Sequence, residues 1–162
     1  IEGPSEYGIL LEDSSADATF DNTTINLDGT GVIAGIGLGD GAPTYTGDID
    51  FLNLSATTAQ NGTTFLANNA NSITISGASS LTSTSTVSPV IDVTATTLDI
   101  TLTSVSSNLA ATVPNTPVAV ELGNSGTFTI TDSFLIDGNP GSDTDPPGSN
   151  IRSSAGVTVT IP

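Results

Sequence analysis

Two short alternating runs joined by a polar corner recur six times along this chain. In PVIDVTATTLDITLTSVSS, residues 89–107, Ile91 and Val93 alternate with Asp92 and Thr94. Leu98, Ile100 and Leu102 then alternate with Asp99, Thr101 and Thr103. The same plan opens at Gly8 (GILLED), Gly35 (GIGLGD), Thr63 (TTFLAN), Pro89 (PVIDVT), Pro117 (PVAVEL) and Ser149 (SNIRSS), so the spacings are 27, 28, 26, 28 and 32. The second run follows as ATFDNTTINL (18–27), DIDFLNL (48–54), SITISG (72–77), LDITL (98–102), TFTITD (127–132) and GVTVTI (156–161). Alternation with a period of two places successive side chains on opposite faces of a strand. A fixed longer period is the mark of a repeat architecture.

The expected fold is therefore all-β: a parallel β-helix, or solenoid, of about six coils forming one domain over residues 1–162. A β-sandwich is the alternative, since it too alternates short strands and turns, at intervals of about 8–12 residues but with no fixed longer period. In a solenoid, coils stack ~4.8 Å apart and like positions form columns. Ile, Val, Leu and Phe are expected inside as purely apolar columns, with Ile91, Val93, Leu98, Ile100 and Leu102 buried together. Asn68, Asn69, Asn71, Asn124 and Gly126 are expected in corners, where they tolerate left-handed backbone and where amides can stack between coils. GNPGSDTDPPGSN, 138–150, reads as a polar loop insertion that lengthens the last spacing. Ile1–Glu6 reads as the tail of a preceding coil and GVTVTIP as the start of an unfinished one. Both point to a segment of a longer repeat protein or a subunit that stacks end to end.

The openings GILLED, GIGLGD, PVIDV and PVAVEL, each followed by a run such as SITISG or TFTITD, resemble the right-handed parallel β-helix of bacterial cell-surface proteins. Autotransporter passenger domains and filamentous-haemagglutinin-like adhesins are examples. The resemblance covers about residues 8–161 and implies an extracellular location and a structural or adhesive role. The same fold also serves polysaccharide-cleaving enzymes, so it does not settle function.

Composition narrows the chemistry. Seventeen acidic residues face one basic residue, Arg152, with no histidine, and the formal net charge is -16. Such a surface repels nucleic acids and anionic membranes, and no apolar run reaches the ~18 residues of a spanning helix. Disorder is not expected, because charged residues are only 11% of the chain and apolar residues recur in alternation. Without His, Lys or Cys, no Ser-His or Ser-Lys nucleophile, no thiolate and no ordinary zinc site can be built. GIGLGDG at 35–41 lacks the lysine of a phosphate loop and reads as a strand and its turn.

Carboxylates remain. Asp48 and Asp50 share a strand face, and Asp92 and Asp99 point outward from one coil, so a paired-carboxylate site on a polysaccharide is an alternative. Calcium is another, since it takes six to eight oxygens. Asp143 and Asp145 in the loop, and Asp40, Asp48 and Asp50 at one corner, are its candidate ligands, and Glu12, Asp13 and Asp17 form a further acidic corner. Thr-x-Thr spacing at 82–86 and 158–161 resembles ice-binding faces, but the threonines drift between coils. Asn22, Asn53 and Asn61 lie in N-x-S/T sequons. The expectation drawn from these features is a non-enzymatic rod, stalk or filament unit, requiring no cofactor beyond possible calcium. Its partners would be neighbouring repeats, a second copy or a surface glycan.

Overall fold

The computed structural model describes residues 1, 3, 6–12, 14–39, 45–68, 70–94, 97–109, 118–136 and 151–162. Among them there is no helix, and hence none long and apolar enough to cross a membrane. The strands are β1 (Tyr7–Leu11), β2 (Ala18–Asp21), β3 (Thr24–Leu27), β4 (Ala34–Leu38), β5 (Asp48–Leu52), β6 (Ser55–Thr58), β7 (Thr63–Asn68), β8 (Ser72–Ser76), β9 (Ser80–Ser83), β10 (Ile91–Thr94), β11 (Thr97–Ser107), β12 (Val120–Leu122), β13 (Ser125–Ile136), β14 (Ile151–Ser153) and β15 (Gly156–Thr160). Their pairings are parallel throughout. That arrangement excludes the sandwich, whose neighbouring strands run antiparallel.

Three faces build the solenoid. The first stacks β1-β4-β7-β10-β12-β14. The second stacks β2, β5, β8 and the first half of β11, then β13 and β15. The third stacks β3, β6, β9 and the second half of β11, then the second half of β13. About four turns are thus flanked by a neighbour on both sides, and the first and last units form the ends. This corrects the expected six coils: the end units add ladder strands but enclose little. Their burial shows it, for β15 alternates exposed and half-buried residues while β5 alternates exposed and fully buried ones.

Columns form the core. On the second face Phe20, Phe51, Ile75, Ile100, Phe128 and Val159 stack in register, beside Ala18, Ile49, Ile73, Leu98, Gly126 and Val157. On the first face Ile9, Ile36, Phe65, Ile91, Val120 and Ile151 do the same. The rings of Phe20 and Phe51 stack at 5.1 Å, and Phe65 meets Phe51 edge-on at 5.9 Å, both favourable arrangements. Ile91, Val93, Leu98, Ile100 and Leu102 are all buried in this one cluster, as the opening motif requires.

The third face departs from expectation. One inward column runs Ile25, Ala56, Leu81, Val105, Phe134. The other runs Leu27, Thr58, Ser83, Ser107, Ile136, so the interior is not purely apolar. Thr58, Ser83 and Ser107 are buried, together with Thr64 and Ser85. Most of these hydroxyls find partners. Thr58 and Thr64 meet at 2.8 Å, Thr64 donates to the Thr82 carbonyl at 2.9 Å, and the Ser85 N–H donates to the Ser83 hydroxyl at 3.1 Å. Ser107 Oγ is buried with none.

The corner between the second and third faces carries the turn chemistry. Asn22 (φ 52°) and Asn53 (φ 57°) take left-handed backbone there, and Gly77 (φ 73°) takes the equivalent place in the next coil. The Asn53 side-chain N–H donates to Asn22 Oδ1 at 3.1 Å, and Asn53 Oδ1 accepts from the Ala78 N–H at 3.0 Å. Glycine suits position 77, since a Cβ there would sit 2.4 Å from Asn53 Oδ1 and displace the side chain that bonds Asn22 and Ala78. Of the corner residues expected from sequence, Asn124 and Gly126 have positive φ. Asn68 and Asn71 do not, because β7 ends on Asn68 and Asn71 leads directly into β8. Asn69 lies outside the described residues.

Candidate functional site

Functional chemistry on this chain must come from its carboxylates and single arginine, so their placement decides what the surface can do. Asp50, Asp99, Asp92, Glu121 and Arg152 fall in two kinds of outward column. On the second face Thr19, Asp50, Thr74, Asp99, Thr127 and Thr158 are in register. Each aspartate is flanked by threonines, and the Thr127 hydroxyl donates to Asp99 Oδ1 at 3.1 Å. Separated in this way, the charges avoid the cost of like charges directly opposite one another. The same column shows why a regular threonine lattice does not form, for Asp50 and Asp99 interrupt it.

Asp48 has a structural task. Its Oδ1 accepts from Asn71 Nδ2 at 2.6 Å and from the Ser72 hydroxyl at 2.8 Å, both in the next coil. Its own N–H donates to Asp17 Oδ1 at 3.0 Å in the coil before. Asp48 and Asp50 do share the outer face of β5, as their spacing predicts. Among the described residues no three carboxylates converge as metal ligands. Asp13, Asp40, Asp143 and Asp145 lie outside the described residues, as does the 138–150 segment.

The first face behaves differently. Its outward column reads Leu10, Gly37, Leu66, Asp92, Glu121, Arg152. Asp92 therefore pairs not with Asp99, which belongs to another face, but with Glu121. Burial first, and the charge of Glu121 second, raise the Asp92 carboxyl above its ordinary value. Arg152 reaches Glu121 at 3.4 Å, with the two side chains 43% and 32% exposed. An ion pair this open to solvent contributes about 0–1 kcal/mol. Beside it lies a shallow open groove of about 250 Å³ lined by Thr94, Glu121, Leu122, Gly123, Arg152, Ser153 and Ser154.

Reading the sequence missed the acid–acid–base column. The signal was present but shifted. Laying PVIDVT on PVAVEL by their prolines puts Asp92 against Val120, whereas the ladder pairs Asp92 with Glu121. Matching I-D-V to V-E-L by burial would have found it. The same one-residue shift occurs at β7, where Thr63 pairs with Ala34 and not with Gly35.

Two of the three sequon asparagines, Asn22 and Asn53, are joined in the corner ladder. The third, Asn61, is exposed in the turn before β7. No protein-family model, curated protein or solved structure matches this chain.

Proposed function

We propose that this chain is a structural solenoid segment, a rigid spacer or stalk element of an extracellular or cell-surface protein. The observation that supports this reading is the continuity of the in-register columns, through six strands on the first and second faces and five on the third. Function in such a body is mechanical. Backbone ladders run from coil to coil, the apolar columns resist shear between coils, and no disulfide is needed. Separated outward carboxylates keep the surface hydrated and repel neighbouring anionic chains. Among the described residues the carboxylates do not gather round a deep cleft: Asp48 bridges coils, Asp50 and Asp99 stand among threonines, and the Glu121 groove is shallow. Adhesive contact along the hydroxyl-rich second face is compatible with the same role.

Single-molecule pulling from the two termini tests the reading. A mechanical solenoid gives stepwise release, with about 90–100 Å of contour length per coil at the ~3.5 Å per residue of extended chain. Release of the whole chain in one low-force event would overturn it.

A further inference from the structure

We propose that Asn61 is a site of spontaneous covalent modification, converting through a cyclic imide to aspartate and isoaspartate in the folded protein. Asn61–Gly62 is the single Asn-Gly pair in the sequence. Asparagine is a thermolabile residue, and its short side chain lets the next backbone nitrogen close a five-membered ring; a following glycine leaves that nitrogen without a side chain to hinder it.

The fold keeps that glycine in place. A Cβ on residue 62 would lie 2.4 Å from Val32 Cγ1 and 3.1 Å from Val32 Cβ. Packing against the preceding coil thus opposes the substitution that would protect Asn61, since Val32 would have to shift. The fold also leaves the reacting groups without hydrogen bonds, although Gly62 itself is buried. Asn61 is exposed in a turn that Gln60 enters with φ 65°. Among the described residues neither the Asn61 side-chain amide nor the Gly62 N–H makes a hydrogen bond. Asn53 and Asn71, by contrast, are held, Asn53 by Asn22 and Ala78 and Asn71 by Asp48; Asn108 is exposed like Asn61 but is followed by leucine, whose side chain hinders the attack.

The chemistry needs only water. The Gly62 nitrogen, losing its proton, attacks Asn61 Cγ, and the tetrahedral intermediate expels ammonia to close a five-membered imide. Water then opens either carbonyl. One opening restores the original backbone with an aspartate side chain. The other routes the backbone through Cβ and Cγ, adding a methylene and freeing the α-carboxylate. That second product acts where the coil is tied down. The Asn61 carbonyl accepts from the Ser88 hydroxyl in the next coil, and the Gly62 carbonyl accepts from Thr58 Oγ1 at 3.3 Å. Ser88 would then face a carboxylate outside the main chain, at the junction between the third and first faces. A long-lived rod would carry a chemical clock at one corner, each event adding one negative charge.

The test is to age the native chain at 37 °C at mildly alkaline and mildly acidic pH, then map every asparagine by mass. A protease cutting after acidic residues serves, since Arg152 offers trypsin one site. The expected result is the mass change of an amide replaced by an acid at Asn61 before any other asparagine, faster at the alkaline pH, with isoaspartate as a product. Asn61→Gln should remove the early event. The proposal is overturned if Asn61 stays intact in folded protein while converting in the urea-unfolded chain. It is equally overturned if all asparagines convert together or none does.

Discussion

The second and third faces enclose the same interior by opposite means. On the second, Phe20, Phe51, Ile75, Ile100, Phe128 and Val159 form an unbroken apolar stack. On the third, Thr58, Ser83 and Ser107 occupy a column that Leu27 and Ile136 close at either end. Stacking in register multiplies whatever a position carries. Apolar groups gain from like neighbours, because each layer buries the next. Hydroxyls are tolerated only where each finds an acceptor, which holds for Thr58 and Thr64 and fails for Ser107. Charges repel their like, and the outward columns separate them with threonine or, at Glu121, offset them with Arg152.

The comparison breaks most sharply at Phe51, which two other rings contact. Phe51→Ala should cost about 3–5 kcal/mol, read as a fall in the urea midpoint with the slope unchanged. A loss under about 1 kcal/mol would mean that the aromatic stack does not carry the core. Next comes the corner between those faces. Asn53→Ala removes two hydrogen bonds and leaves a non-glycine, non-asparagine residue at positive φ, so about 1–3 kcal/mol should be lost. Asn53→Gly, which restores the backbone freedom, should recover part of it.

The outward charge column tests the same rule through pH. The folded Asp92 carboxyl titrates above its ordinary value, so the folded state favours the protonated acid. Its unfavourable contribution is absent below the unfolded pKa, about 3.9. It grows as pH rises to the folded pKa and is then constant. Asp92→Asn should therefore raise the melting temperature at pH 7, with the advantage vanishing near pH 3; an equal gain at both would contradict the account. The smallest effect is expected at Ser107. Ser107→Ala removes a buried hydroxyl without a partner and should be neutral or slightly stabilising, whereas Thr58→Val should cost about 1–2 kcal/mol by disturbing a satisfied pair.

Much of this fold was legible because alternation and repeat length answer to the same physics that builds it. Ile91 to Leu102 could be assigned to the core from period two alone, and the recurrence of the motif excluded a local hairpin. Register was less legible. A one-residue shift at β7 and β12 moves no residue type conspicuously, since proline and threonine fit either alignment, yet it hid the Asp92–Glu121 pair. The third face was missed as an inward surface because SATT at 55–58 and SLTS at 80–83 look like polar turns. Their buried hydroxyls are satisfied by neighbouring coils, which one segment cannot reveal. The left-handed corners at Asn22 and Asn53 lie within what reads as a single long run, so the break between two faces was invisible there.

Parallel, in-register stacking is the central claim, and a chain without cysteine permits a direct test. Thr74 pairs with Asp99, and both point outward. Neighbouring strands lie ~4.8 Å apart, within the separation a disulfide spans. The double variant Thr74→Cys, Asp99→Cys should form an intramolecular disulfide under mild oxidation and melt higher when oxidised. Thr74→Cys with Thr101→Cys, two residues out of register, should remain reduced under the same conditions. Crosslinking of the second pair and not the first would contradict the register, and with it the columns on which the account stands.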